Sequence, residues 1–192
     1  MMRHRARAGQ GRADGGVARR RRASAFTLIE MVMVLVIIGA LARLAYPSMA
    51  GSYYRLKLGG AARRLQDHVR YAQQYAIMNH LKIDVVFDTA NEQYRVADVS
   101  AGKNLTDPFT RSAGVAGQDW TTGLYMNYTD SGELKGVNLS SATVSTLRFS
   151  ARGVPTDTSD TALGANTDIV LTYQGNTNTV QVTPETGVVT VQ

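Results

Sequence analysis

Residues Ala25–Pro47 read AFTLIEMVMVLVIIGALARLAYP. Four consecutive arginines, Arg19 to Arg22, stop just before this stretch, and Met31 to Ala42 is a run of twelve residues without a charge. From Phe26 to Tyr46 the segment is 21 residues long. A helix of that length reaches about 30 Å, one hydrocarbon core. The only acid in it is Glu30. A carboxylate near the start of a membrane helix is costly unless something neutralises it.

Three readings compete for the stretch. A plain membrane anchor explains the length and the arginines but gives Glu30 no task. A secretory signal peptide also explains a small-residue exit at Ser48-Met49-Ala50, with a secreted chain starting at Gly51; it too leaves Glu30 unexplained. The third reading is a resemblance. Ala25-Phe26-Thr27-Leu28-Ile29-Glu30, a bulky apolar helix and then Pro47 resemble the N-terminus of type IV pilins and type II secretion pseudopilins. The resemblance implies cleavage by a prepilin peptidase between Ala25 and Phe26, followed by N-methylation of Phe26. Glycine is usual before the cut, so Ala25 is a departure. The leader is longer than most, which leaves room for a start codon downstream of Met1.

The same resemblance makes Glu30 an assembly residue. One helical turn from the new N-terminus, it would meet the charged amine of a neighbouring subunit. Pairing the two charges offsets much of the cost of removing each from water. Snorkelling of Glu30 to the headgroups is the local alternative. Pro47 lacks an amide hydrogen and clashes with the preceding turn, which predicts a kink or local melting over Ala42 to Pro47.

The formal net charge of the 192 residues is +6, yet residues 1–25 hold eight arginines and one aspartate. Without them 13 basic and 14 acidic residues remain, a net of −1. The basic character therefore belongs to the leader, where it obeys the positive-inside rule and directs the rest of the chain away from the cytoplasm. There is no cysteine, so the fold depends on core burial rather than disulfides.

Beyond the anchor, Leu58, Ala61, Leu65, Val69, Ala72 and Ala76 recur at spacings of three or four, an apolar stripe on a helix that ends near residue 80. The chain then changes to β-rich runs: 82–87, 93–97, 124–128, 134–139, 144–149, 169–173, 179–183 and 188–192, separated by turn residues. Residues 100–120 and 151–167 read as long loops and candidate contact surfaces. One long helix followed by short strands is an α+β arrangement, and this order matches the pilin fold: a helix, half membrane and half amphipathic, packed on antiparallel β-sheet. The predicted organisation is a basic leader at 1–25, removed; a transmembrane and assembly helix at 26–46; an amphipathic continuation at 47–80; and a periplasmic β-rich domain at 81–192. Leu147-Arg148-Phe149-Ser150-Ala151-Arg152-Gly153-Val154-Pro155 and Val180 to Gly187 resemble the strand-glycine-proline segment and final hairpin of GspH/FimT-type minor pseudopilins.

No enzyme is expected. His4, His68 and His80 lack metal-ligand spacing; His68 on the predicted helix and His80 at its end are expected to be solvated or capping, and neither a nucleophile elbow nor a phosphate-binding loop occurs. Asp157, Asp160 and Asp168 fit no calcium loop, so neither a metal nor a cofactor is expected. Asn104, Asn127 and Asn138 open glycosylation triplets that short matches produce by chance. The resemblance implies a minor pseudopilin of a type II secretion system, single-pass in the inner membrane with its C-terminal domain in the periplasm. Its expected partners are other pilins or pseudopilins, the prepilin peptidase and a secreted substrate. The alternative is a FimT-like minor pilin in pilus assembly or DNA uptake. Nucleic acid is disfavoured, because no Lys or Arg follows Arg152 while Asp157, Asp160, Asp168 and Glu185 do.

Overall fold

A computed structural model describes residues 27–192 apart from 116, 118, 119 and 131, and of residues 44–50 it describes the backbone alone. The leader and both residues of the expected cleavage site, Ala25 and Phe26, lie outside the described residues. The chain divides into two compact units, Met1–Leu44 and Ala45–Gln192. Helix α1 (Leu28–Asn79) contributes to both. It stops where His80 takes a left-handed backbone, φ 55°. The Leu81 N–H then donates to the Ala76 carbonyl at 3.1 Å, a Schellman closure made without the usual glycine. The assigned helix runs through Pro47, so the backbone is not melted there.

In the second unit the predicted stripe is the buried face. Leu58, Ala61, Leu65, Val69, Ala72 and Ala76 are all at most 1% exposed, and Ala62 and His68 join them. The alanines have little side-chain entropy to lose and bring the helix close to the strands. The strands form two antiparallel sheets, a division that the order of elements does not reveal. β1 (Ile83–Asp88), β2 (Gln93–Asp98), β3 (Lys103–Asn104), β4 (Tyr125–Asn127), β6 (Thr146–Phe149) and β7 (Pro155–Thr156) make the first. Its order is β3-β2-β1-β6-β7, with β4 also on β2. The second holds β5 (Asn138–Ala142), β8 (Thr167–Tyr173), β9 (Asn176–Val182) and β10 (Val189–Val191), in the order β10-β9-β8-β5. Alternation sets which residues face the helix: Val85 pairs with both Val96 and Leu147, and all three are fully buried. Ile169, Leu171, Val180 and Val182 bring the second sheet into the same core.

Two expectations need correcting. The strand read at 134–139 begins only at Asn138, because Gly132–Leu134 is a 3-10 turn. The segments read as long loops also each hold a short strand, β3 in the first and β7 in the second. Asn104, 1% exposed, donates its side-chain amide to the Thr122 carbonyl and ties the first loop across its width. In the second, Arg148 grips Asp84 with two bonds of 2.7 and 2.9 Å, donates to the Thr158 carbonyl and lies 3.5 Å from Asp160. Lys82 holds Asp160 from the other side at 2.6 Å. Asp157 caps the turn through the Ser159 and Thr161 amides, and Asp168 accepts from Gln181.

Polar side chains of α1 fasten the last hairpin. Gln66 and Arg70 both donate to the Val189 carbonyl, at 2.8 and 2.9 Å. The Gln73 amide donates to the Gly153 and Thr186 carbonyls, each at 2.9 Å, and so joins two loops far apart in sequence. Gly153 and Gly187 have φ of 77° and 68°, a region that favours glycine. A Cβ on Gly187 would strike the Gln73 amide, and one on Gly153 would strike Ile77. The first clash is relieved only by moving the amide, which breaks the clamp. Gly187→Ala is therefore expected to destabilise the protein by about 1–3 kcal/mol. Chemical denaturation of the full chain in detergent checks this, and on a Gln73→Ala background the added cost should shrink.

Candidate functional site

At its N-terminus α1 is capped by Thr27. The Thr27 hydroxyl accepts the Glu30 N–H at 3.3 Å, and the Thr27 carbonyl accepts the Met31 N–H at 3.2 Å. Thr27-Leu28-Ile29-Glu30 thus has the spacing of a capping box, a signal legible in the sequence that the motif-based reading passes over. It gives Glu30 a local role besides assembly, since a carboxylate in the first turn is favoured by the helix dipole. Glu30 is exposed, so its charge is presented outward. Of the other expected site residues, Ala25 and Phe26 are not described, and Pro47 is described by its backbone alone.

The next turns are apolar on every face. Leu28 is 83% exposed, and Val34, the least exposed of the large apolar residues up to Leu41, is still 45% exposed. A helix that is apolar all round must be covered by lipid or by other helices. Among the described residues no helix is long and apolar enough to cross a membrane. The described side chains of this stretch run from Thr27 to Arg43, whereas the predicted span is 26–46.

The head has its own buried polar group. His68, on the core face of α1, shares a 2.9 Å hydrogen bond through Nδ1 with the Tyr94 hydroxyl. Its Nε2 is buried without a hydrogen-bond partner among the described residues. The Phe109 ring lies over it with centroids 6.0 Å apart. Asp107 holds that loop: its carboxylate accepts the Phe109 and Thr110 N–H groups and the Thr110 hydroxyl. Burial works against the Asp107 charge, but these bonds outweigh it and hold its pKa below the usual value. His68 goes the opposite way from the solvated role expected of it. Burial, helped by the Arg64 charge and opposed by Asp107, lowers its pKa to about 4. Of the three glycosylation triplets, the first is closed off by the burial of Asn104. Among the described residues no three metal-ligating side chains converge.

Residues 61–187 match the family described as Type II transport protein GspH, and residues 20–42 match the prokaryotic N-terminal methylation motif. No curated protein matches the chain. Among solved structures, the type IV minor pilin FimU of Pseudomonas aeruginosa is 12% identical, with 72% of this chain and 90% of that one covered and a TM-score of 0.46. The minor pseudopilin EpsH from the Type 2 Secretion System of Vibrio cholerae is also 12% identical, with 71% and 96% covered and a TM-score of 0.46.

The His68 geometry makes stability depend on pH. The folded pKa is about 4 against 6.5 for the free side chain. Below pH 6.5 the unfolded chain takes up a proton that the folded chain refuses. Stability should therefore be full above that pH and fall as pH drops towards 4, by roughly 3 kcal/mol in all. Denaturation midpoints of the full chain from neutral to acid pH check this; the His68 contribution to the slope should vanish in His68→Gln.

Proposed function

The chain belongs to the GspH family of type II transport proteins, and on that premise we propose that it is a minor pseudopilin of a type II secretion system. It assembles through its N-terminal helix into a filament based in the inner membrane. In this reading a prepilin peptidase removes residues 1–25, cutting between Ala25 and Phe26, and Phe26 is N-methylated. The match of residues 20–42 to a methylation motif supports this step. Residues 26–46 cross the membrane once, residues 47–80 continue as the amphipathic half, and residues 81–192 form the periplasmic domain. A bend at Pro47 accommodates the passage from lipid to head.

The observation that carries the proposal is an exposed carboxylate, Glu30, at the head of a helix apolar on all sides. Lipid covers the apolar surface. The amine of a neighbouring Phe26 neutralises the carboxylate and sets the stagger between helices. The first partners are therefore other pseudopilins and the peptidase. A secreted substrate would meet the loops at 100–120 and 151–167. Nucleic acid is not a partner in this reading, since the last forty residues contain acids but neither Lys nor Arg.

Glu30→Gln separates the two roles of this residue. The cap survives, because it uses the residue-30 backbone N–H and the Thr27 hydroxyl, while the charge is lost. The mature chain recovered from membranes should begin at methylated Phe26 by mass spectrometry, for wild type and variant alike. Filament-incorporated variant should fall by roughly tenfold or more relative to wild type. Normal incorporation would sink the electrostatic role, and a mature chain starting at Gly51 would sink the assignment. Deletion of the gene should stop protein secretion; loss of pili with secretion intact would move the chain to the pilus.

A further inference from the structure

The head carries a groove that the assembly reading does not use. About 800 Å³ in volume, it opens between α1, residues of 107–112 and 120–127, and Asp130 with the Gly132–Leu134 turn. Gly60 forms part of its wall on the helix side, and nothing lies within 4 Å of where a Cβ on Gly60 would stand. The helix backbone is therefore left open to an approaching chain. Trp120, the only tryptophan in the sequence, lines the groove and is half-buried. The Arg95 guanidinium lies 4.8 Å from the indole centroid and holds the ring in place from one side.

The charge of the lining is unbalanced. Asp107, Asp130 and Glu133 line the groove against Arg64, with the Arg95 guanidinium beside the Trp120 ring. Asp107 is committed to its own turn, but Asp130 and Glu133 are exposed at the rim and neither is in a salt bridge among the described residues. Gln93, Asn127 and Tyr125 add polar atoms and a second aromatic ring. Aromatic faces and uncompensated carboxylates both favour a cation, the first through the ring quadrupole and the second through charge.

We propose that this groove is a docking site for an extended segment of a partner protein that inserts a lysine or arginine side chain between Trp120 and the Asp130–Glu133 rim. The segment's backbone passes over Gly60, where no side chain obstructs it. The proposal concerns the head alone and does not depend on which filament the chain joins.

Trp120 is a built-in reporter, since no other residue contributes indole emission. The full chain in uncharged detergent micelles is titrated with an end-blocked glycine pentapeptide containing one lysine and one arginine. Parallel titrations use the same peptide with two glutamates, and chitotetraose as a neutral saccharide. The basic peptide should change Trp120 emission saturably, less so in high salt, and the acidic peptide should not. In Asp130→Asn/Glu133→Gln the affinity should fall by roughly tenfold. Both positions are exposed, and far-UV dichroism checks that the variant is folded; the salt dependence of the wild type serves as the second measure. Absence of a saturable change, equal response to the acidic peptide or an unaffected double variant would each overturn the proposal. A response to chitotetraose alone would also overturn it and assign the groove to glycan.

Discussion

Apolar surface that the chain cannot bury in itself is the constraint on which the rest depends. Between Leu28 and Leu41 eleven large apolar side chains stand exposed on every face of α1. Leaving them in water forfeits on the order of 10–20 kcal/mol, as much as a domain's whole net stability. A helix with one polar face could lie on a surface, but this one has none before Arg43 apart from Glu30. In the proposed reading the surrounding medium is apolar and the one charge meets an opposite one, so that membrane insertion and filament assembly both follow from that single arrangement.

The same helix meets a different requirement from Leu58 onward. There the apolar residues narrow to a stripe rich in alanine, and the two sheets close over it. Polar residues beside the stripe are used as fasteners rather than left to solvent. Gln66, Arg70 and Gln73 hold the final hairpin and the Gly153 turn by their carbonyls. The glycines at 153 and 187 are where the chain must come close to α1 in a left-handed conformation. The resemblance of these two segments to GspH/FimT-type proteins therefore has a physical reading: they are the contacts by which the head grips its own helix.

Much of this was legible in residue order. The stripe at spacings of three and four predicts six residues of the buried helix face, to which the structure adds Ala62 and His68, because burial on a helix follows geometry. The hairpin of β1 and β2 and the meander of β8, β9 and β10 follow from alternation and turn residues. What escaped was set by tertiary contact. The division into two sheets depends on pairings across long sequence separations that alternation cannot show. β3 and β7 are two residues long each, too short for a periodic signal. His68 looked solvated because a lone histidine carries no period; only its place on the core face reveals its burial. The Thr27 cap was readable, but the stronger apolar pattern beside it masked the local one. The Trp120 groove is assembled from segments separated by dozens of residues, so only the folded chain displays it.

The central claim is that residues 28–43 are taken up by lipid while the rest of α1 is not. The chain has no cysteine, so Val34→Cys and Asp67→Cys each give a unique attachment point for an environment-sensitive fluorophore. In bilayer vesicles the label at 34 should emit as in hydrocarbon and resist quenching by aqueous iodide, while the label at 67 stays accessible. Equal quenching at both positions would contradict the account.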